Sequence, residues 1–271
     1  MDWPEARERL RGPIFAPLAP GLARLPADRW PTHEELTAAA AGVETQRGKA
    51  VRFVPPRGRG EGRGYELHID ETGEVQTRAR NWHDLFNALA WIAFPRAKAR
   101  INAQHAAILA GGGEGEARHR GPERDALTLF DEGGVIVASS SPALLRLIVD
   151  FEWKELFWHR RAELETRMRF FAFGHALHEK ALEPYLGIVA KTVFVPVDEL
   201  FFMLPPEAQV ARADELAAAH FAARARFPSP RVMAPLPALG IPGWHPGTVH
   251  EGFYDDERHF RGKPGGADGA A

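Results

Sequence analysis

"DALTLFDEGGVIVASS", Asp125 to Ser140, decides how this chain divides between helix and sheet. Two β-prone runs flank Asp131 to Gly134, and Asp-Glu-Gly-Gly has the composition of a tight turn, so the stretch predicts a β-hairpin. Upstream, "YELHIDETGEVQTR" (Tyr65 to Arg78) reads the same way around "DETG", and "KAVRFVP" and "KTVFVPV" predict two further strands.

Helical signals surround these runs. Thr32 followed by Glu35 forms a capping box. Asn81 is an N-cap with Asp84 three residues on, where a carboxylate suits the positive helix end. Pro95 starts a second helix that runs to a glycine stop at Gly111, and Ser141-Pro142 opens another. From Trp153 to Tyr185 the pattern is helical throughout, and "PPEAQVARADELAAAHFAARAR" reads as an outer helix. Strands and helices without regular βαβ alternation predict an α+β fold: a single compact domain with two β-hairpins packed on a helical layer built from residues 82–110 and 142–186. The expected organisation is an N-terminal extension over residues 1–48, a main domain over 49–261 and a disordered tail over 262–271. "PRGRGEGRG" (Pro56 to Gly64) lacks the Lys-Ser/Thr of a phosphate loop and reads as a flexible tip.

Composition narrows the chemistry. With 271 residues and 45% hydrophobic side chains the chain can build its own core. A net charge of -2, from 34 basic and 36 acidic residues, gives no global attraction to nucleic acid or membranes, and leaves nucleic-acid binding to local patches. The absence of cysteine removes thiol nucleophiles, thiolate metal sites and disulfides, so any divalent metal would sit on His, Asp or Glu. No run approaches the roughly 18 apolar residues of a membrane helix and "MDWPEARERLRG" lacks a signal-peptide core, so a cytoplasmic location is expected.

Polar residues concentrate in unexpected places. In "NWHDLFNALAWIAFP", His83, Asp84 and Asn87 share one flank at spacings of three and four, opposite an apolar face. Lys98, Asn102 and His105 repeat the pattern on the next helix, and a bend at Pro95 lets the two flanks converge. Mid-helix asparagine is a mediocre helix former, which strengthens the set as a site, although capping explains Asp84 alone. "GHALHEKAL" places His175 one turn from His178 and Glu179; the acid follows the second histidine, so the order is not that of a zincin. Arg124 and Asp125 precede a β-run, and roughly 20 Å of extended chain separates Asp125 from Asp131, which excludes that carboxylate pair as a dyad. "DFEWKELF" carries Asp150, Glu152 and Lys154 in a nuclease-like order but at a helix start, the wrong context. The C-terminal loops, with Trp244, His245, Tyr254 and Asp255, suit either a lid or a tail wrapped on its own domain.

Four segments, "NWHDLFNALAWIAFPRAKARINAQH", "RDALTLFDEGGV", "FGHALHEKALEPYLG" and "LPALGIPGWHPG" with "FYDDERHFR", together resemble an uncharacterised bacterial family, a domain of unknown function common in proteobacteria. The resemblance spans Asn81 to Arg261 and implies membership, with no activity or site residue attached. On the residues alone, the leading expectation is a small hydrolase acting on a polar, phosphorylated or nucleotide-like ligand. His83, Asp84, Asn87, Asn102, His105, Asp125, His175 and Glu179 form its catalytic set, and Lys98, Arg124, Lys180 and Trp244 its substrate contacts. His83, Asp125 and His175 are the candidate ligands for an optional divalent metal. The competing expectation is a binding module for RNA, a ribosomal component or a protein partner.

Overall fold

The computed structural model of the chain describes residues 3–57, 64–111, 121–222 and 229–263. In chain order the elements are α1 (Trp3–Arg9), α2 (Ala19–Leu22), α3 (His33–Ala39), β1 (Arg52–Val54), α4 (Tyr65–Thr72), β2 (Glu74–Gln76), α5 (Trp82–Ala93), α6 (Pro95–Gly111), α7 (Pro122–Gly133), β3 (Gly134–Ser139), α8 (Pro142–Asp150), α9 (Arg161–Arg167), β4 (Met168–Ala172), α10 (His175–Leu182), β5 (Val189–Pro196), α11 (Pro206–Ala222) and β6 (Pro235–Pro237), linked by short 3-10 turns and one π turn. The fold is α+β. The glycine-rich tip over 58–63, the charged loop over 112–120 and the tail beyond residue 263 lie outside the described residues.

Neither expected hairpin forms. Each glycine-bearing turn stops a helix instead and hands the chain to a strand. Residues 65–72 make α4, closed by Gly73 in the left-handed region (φ 76°) with its N–H bonded to the Ile69 carbonyl, a helix stop that glycine accepts without strain. The following β2 pairs with β1 in parallel. Likewise Asp125 to Gly133 is helical, and Gly134 begins β3. Steric need explains the glycine there: a Cβ at Gly134 would collide with the Phe130 carbonyl, and one at Gly174 with the Glu132 carbonyl. The segment 153–185 is broken as well, because "MRFFA" becomes β4 between α9 and α10. Its alternating side chains pack across β3, a tertiary contact that overrides local helix preference.

The larger sheet has the order β4-β3-β5-β6, with β3 parallel to β5 and antiparallel to β4. All six residues of β3 are buried, which is why "GVIVAS" reads as a continuous apolar run rather than an alternation. Val135 and Val137 join one core with Phe15, Phe86 and Leu239, while Ile136 and Ala138 join a second with Phe130, Ala213 and Phe221. Both faces of the sheet are therefore covered. The N-terminal residues belong to the first core: Trp3, Ile14, Phe15 and Leu18 are buried within it.

Caps behave as the sequence implies. Thr32 accepts from the Glu35 N–H while Glu35 accepts from the Thr32 N–H. Asn81 accepts from the Asp84 N–H. The start of α6 is capped from a distance: the Asp214 carboxylate on α11 accepts from the N–H groups of Arg96 (3.0 Å) and Ala97 (2.8 Å). Burial pushes that carboxyl up to about 6, against the lowering effect of the same two N–H groups. This tie fixes α6, and with it one wall of the cavity described next.

Candidate functional site: a polar cavity between four helices

α4, α5, α6 and α7, with the first residue of α10, enclose a cavity of about 450 Å³. Side chains at spacings of three and four on α5 (His83, Asp84, Asn87) and on α6 (Lys98, Asn102, His105) turn toward it. The two flanks converge as the bend at Pro95 suggests. Arg124, Thr128, Asp131 and Glu132 enter from α7, and Tyr65 and Glu66 from α4. A larger groove of about 1180 Å³, beside α1 and the start of α11, holds no histidine and no buried polar atom without a partner among the described residues.

A chain of contacts runs along the cavity wall. Glu179 Oε2 lies 2.9 Å from His83 Nδ1, and His83 Nε2 lies 3.0 Å from His175 Nε2. The two rings meet edge to face at 4.4 Å between centroids. Beyond them, His175 Nδ1 faces Asp131 Oδ2 at 3.5 Å, too long for a hydrogen bond. Asp131 is held by Lys98, whose Nζ donates to both carboxylate oxygens at 2.7 and 2.9 Å and to Asn87 Oδ1 at 2.8 Å. Burial disfavours the Asp131 charge, but the Lys98 ammonium outweighs it and holds the carboxyl below its usual range. Burial drives His175 down to about 3, so its ring is neutral at neutral pH.

Hydrogen-bond logic then places the protons. If His175 carries its proton on Nδ1, toward Asp131, its Nε2 is an acceptor, and His83 must donate from Nε2. His83 Nδ1 in turn faces the Glu179 carboxylate, an acceptor for an N–H at that nitrogen. With the His175 proton on Nε2 instead, a bare Nδ1 lone pair faces the Asp131 carboxylate.

Other groups are spoken for. Asp84 is not the partner of His83; it accepts from the Arg78 backbone N–H and from both ends of the Arg78 guanidinium. Burial acts to raise the Asp84 carboxyl, and the Arg78 bonds more than reverse it. Lys98 is buried and fully engaged, so it is not open to an anion. Arg124 lines the cavity with no ion pair or hydrogen bond among the described residues, which leaves its fork available to an anion.

Several expected members lie elsewhere. Asp125 sits in the first turn of α7, roughly 9 Å along the axis from Asp131 and outside the lining. Reading this stretch as a strand misses that Asp131, not Asp125, faces His175. The set His83, Asp125 and His175 is not assembled, and among the described residues no group of three or more His, Asp or Glu is placed to hold a metal ion. Glu179 touches His83 from outside the lining, whereas Lys180 is exposed and away from it. Trp244 packs against the first core, and His178 is fully buried between Phe15 and Phe86. Tyr65, Glu66 and Arg78 escaped the sequence reading because a hairpin would have scattered them; the α4 register brings Tyr65 and Glu66 to the cavity.

The chain belongs to the DUF3025 family of proteins of unknown function, whose model matches residues 51–264. No curated protein and no solved structure matches it. Among the described residues no helix is long and apolar enough to cross a membrane.

Proposed function

We propose that this cavity is the catalytic site of a hydrolase acting on a polar, phosphorylated or nucleotide-like substrate, with His83 as its acid/base. The observation that carries the reading is the Glu179–His83–His175 chain: one histidine held at both ring nitrogens, at a cavity edge, beside a second ring that burial keeps neutral. Glu179 orients the ring and stabilises its charged form, as a carboxylate partner does for an acid/base histidine. His175, kept neutral by burial, bonds His83 Nε2 at rest. In the reaction His83 Nε2 exchanges its contact with His175 for one with a bound water; the water oxygen bonds to the electrophilic atom as its proton passes to that nitrogen, and the nitrogen returns a proton to the leaving oxygen as its bond breaks. Arg124 neutralises the substrate anion.

A binding module calls for these side chains on an open patch; their convergence in one recess supports the enzyme reading. The test is release of phosphate from a panel of nucleoside monophosphates and simple phosphomonoesters, with and without EDTA. Wild-type turnover that survives EDTA and falls by about 10² to 10⁴ in His83→Gln, with an unchanged melting temperature, is the expected result. No turnover on any of the panel, or full turnover in His83→Gln, overturns the reading. Turnover lost in EDTA would move the histidine pair from proton transfer to metal binding.

A further inference from the structure

The floor of the cavity holds a second set of polar groups that proton transfer does not use. Asn102 and His105, three apart on α6, are 2% and 4% exposed, and both line the cavity. The orientation of the Asn102 amide is settled by its neighbours: Nδ2 donates to the Glu66 carbonyl at 2.9 Å and to Glu66 Oε2 at 2.6 Å. Since both acceptors demand the NH₂ end, Oδ1 is the end left over, and it is buried without a partner. His105 Nδ1 is likewise buried without a partner. Burial lowers the affinity of this ring for a second proton, so it stays neutral and offers a single N–H.

A buried polar atom left unpaired costs about 1–3 kcal/mol, and two on one helix face, one turn apart, are unusual unless something occupies them. With His105 in its Nδ1–H form, the pair presents an acceptor and a donor side by side. The complement of that pair is an N–H beside a C=O.

We infer that Asn102 and His105 form a specificity subsite for the lactam edge of a nucleobase, the N–H and adjacent carbonyl of a uracil- or guanine-type ring, in a substrate whose phosphate is held by Arg124. This rests on the reading of the cavity as a site for phosphorylated ligands and narrows it to oxo-bearing nucleotides. The Glu66 carboxylate, tied to Asn102, fixes the amide. A water pair would satisfy the same atoms without selecting any base, so the test turns on selectivity.

The experiment is calorimetric titration of the intact chain, wild type and His83→Gln, with UMP, GMP, their N-methylated forms (N3-methyl-UMP and N1-methyl-GMP) and ribose 5-phosphate. Methylation removes the single N–H that Asn102 Oδ1 would accept and leaves the phosphate untouched. At least one of UMP and GMP should bind about tenfold or more tighter than its methylated form, which should bind no better than ribose 5-phosphate. Asn102→Leu, if its melting temperature shows it folded, should erase the difference. Equal binding of parent, methylated and base-free ligands overturns the subsite while the phosphate site stands. Methylated ligands that bind as tightly as their parents but better than ribose 5-phosphate also overturn it, because stacking rather than edge pairing would then select the base. If none binds, both the subsite and the phosphorylated-substrate reading fall.

Discussion

The cavity between α4 and α7 and the C-terminal wrap from Leu239 to Phe260 are drawn from the same kinds of residue, histidine, aspartate and large aromatics, yet they are built in opposite ways. In the wrap, His245 stacks on Phe253 at 4.9 Å and Tyr254 packs on Phe260 at 5.1 Å. Its polar groups are consumed internally: the Tyr254 hydroxyl donates to the Gly240 carbonyl, Arg161 donates to the Tyr254 oxygen, and Trp153 donates to the Arg261 carbonyl. Among its described residues His259 Nε2 is the one buried polar atom left over. In the cavity, by contrast, Asn102 Oδ1, His105 Nδ1, His175 Nδ1 and the Arg124 guanidinium have no hydrogen-bond partner among the described residues. Composition does not separate a site from a strap. Unspent hydrogen-bonding capacity gathered around an open recess does, because burying it has a cost that packing alone does not return.

The largest expected effect on this contrast is at Lys98. Lys98→Met removes the buried ammonium that holds half-buried Asp131, leaving an uncompensated carboxylate beside His175, and should lower stability by about 3 kcal/mol in chemical denaturation. A loss below about 1 kcal/mol would mean that water already screens Asp131 and that the cavity is no drier than the surface.

Next comes pH. His175 and His178 are pushed by burial to about 3 and about 4, far below the ordinary value of 6.5. Unfolding lets them bind protons, so their stabilisation is complete above pH 6.5 and is lost as pH falls toward 4. Asp214, raised to about 6, works the other way over about pH 6 to 4, since the folded chain holds its proton more tightly. With His259, also pushed down to about 4, three depressed histidines against one raised carboxyl leave a net loss of about 2.7 kcal/mol for each pH unit below 6, to which the lowered His105 adds. Urea melts at pH 4.5 to 7 read this slope directly. His178→Gln should cancel up to about half of it, and an unchanged slope in that variant would show that His178 does not titrate as its burial requires.

Smaller effects test the wrap. Tyr254→Phe deletes a hydroxyl shared between Gly240 and Arg161 and should cost about 1–2 kcal/mol without altering ligand binding at the cavity. A change in cavity affinity would show that the wrap acts as a lid after all. Smallest of all, Lys154→Ala removes solvent-facing pairs to Glu251 and Asp255 and should leave the denaturation midpoint unmoved. A loss comparable to that of Lys98→Met would erase the distinction between the two regions.

Much of this was legible beforehand, for reasons that can be named. The capping box at Thr32 and Glu35, the Asn81 cap and the start at Pro95 are local, and local rules place them. The i, i+3 and i+4 spacings of His83 with Asn87 and of Lys98, Asn102 and His105 put each set on one flank whatever surrounds the helices. The Asp-Glu-Gly-Gly and Asp-Glu-Thr-Gly stretches misled because the residues that make tight turns also stop helices, and Gly134 is required by a neighbouring carbonyl that no local rule can see.

The sequence by itself therefore determined the α+β character, the caps, the two polar helix flanks and the absence of thiol chemistry, all properties of one segment at a time. Only the tertiary structure decided that Asp131 rather than Asp125 meets His175, that Glu179 rather than Asp84 holds His83, and that His178 is core while His175, one turn away, is cavity. Those choices depend on where separate elements touch, across 96 residues between His83 and Glu179, and contact over that separation is set by how the two cores pack against β3.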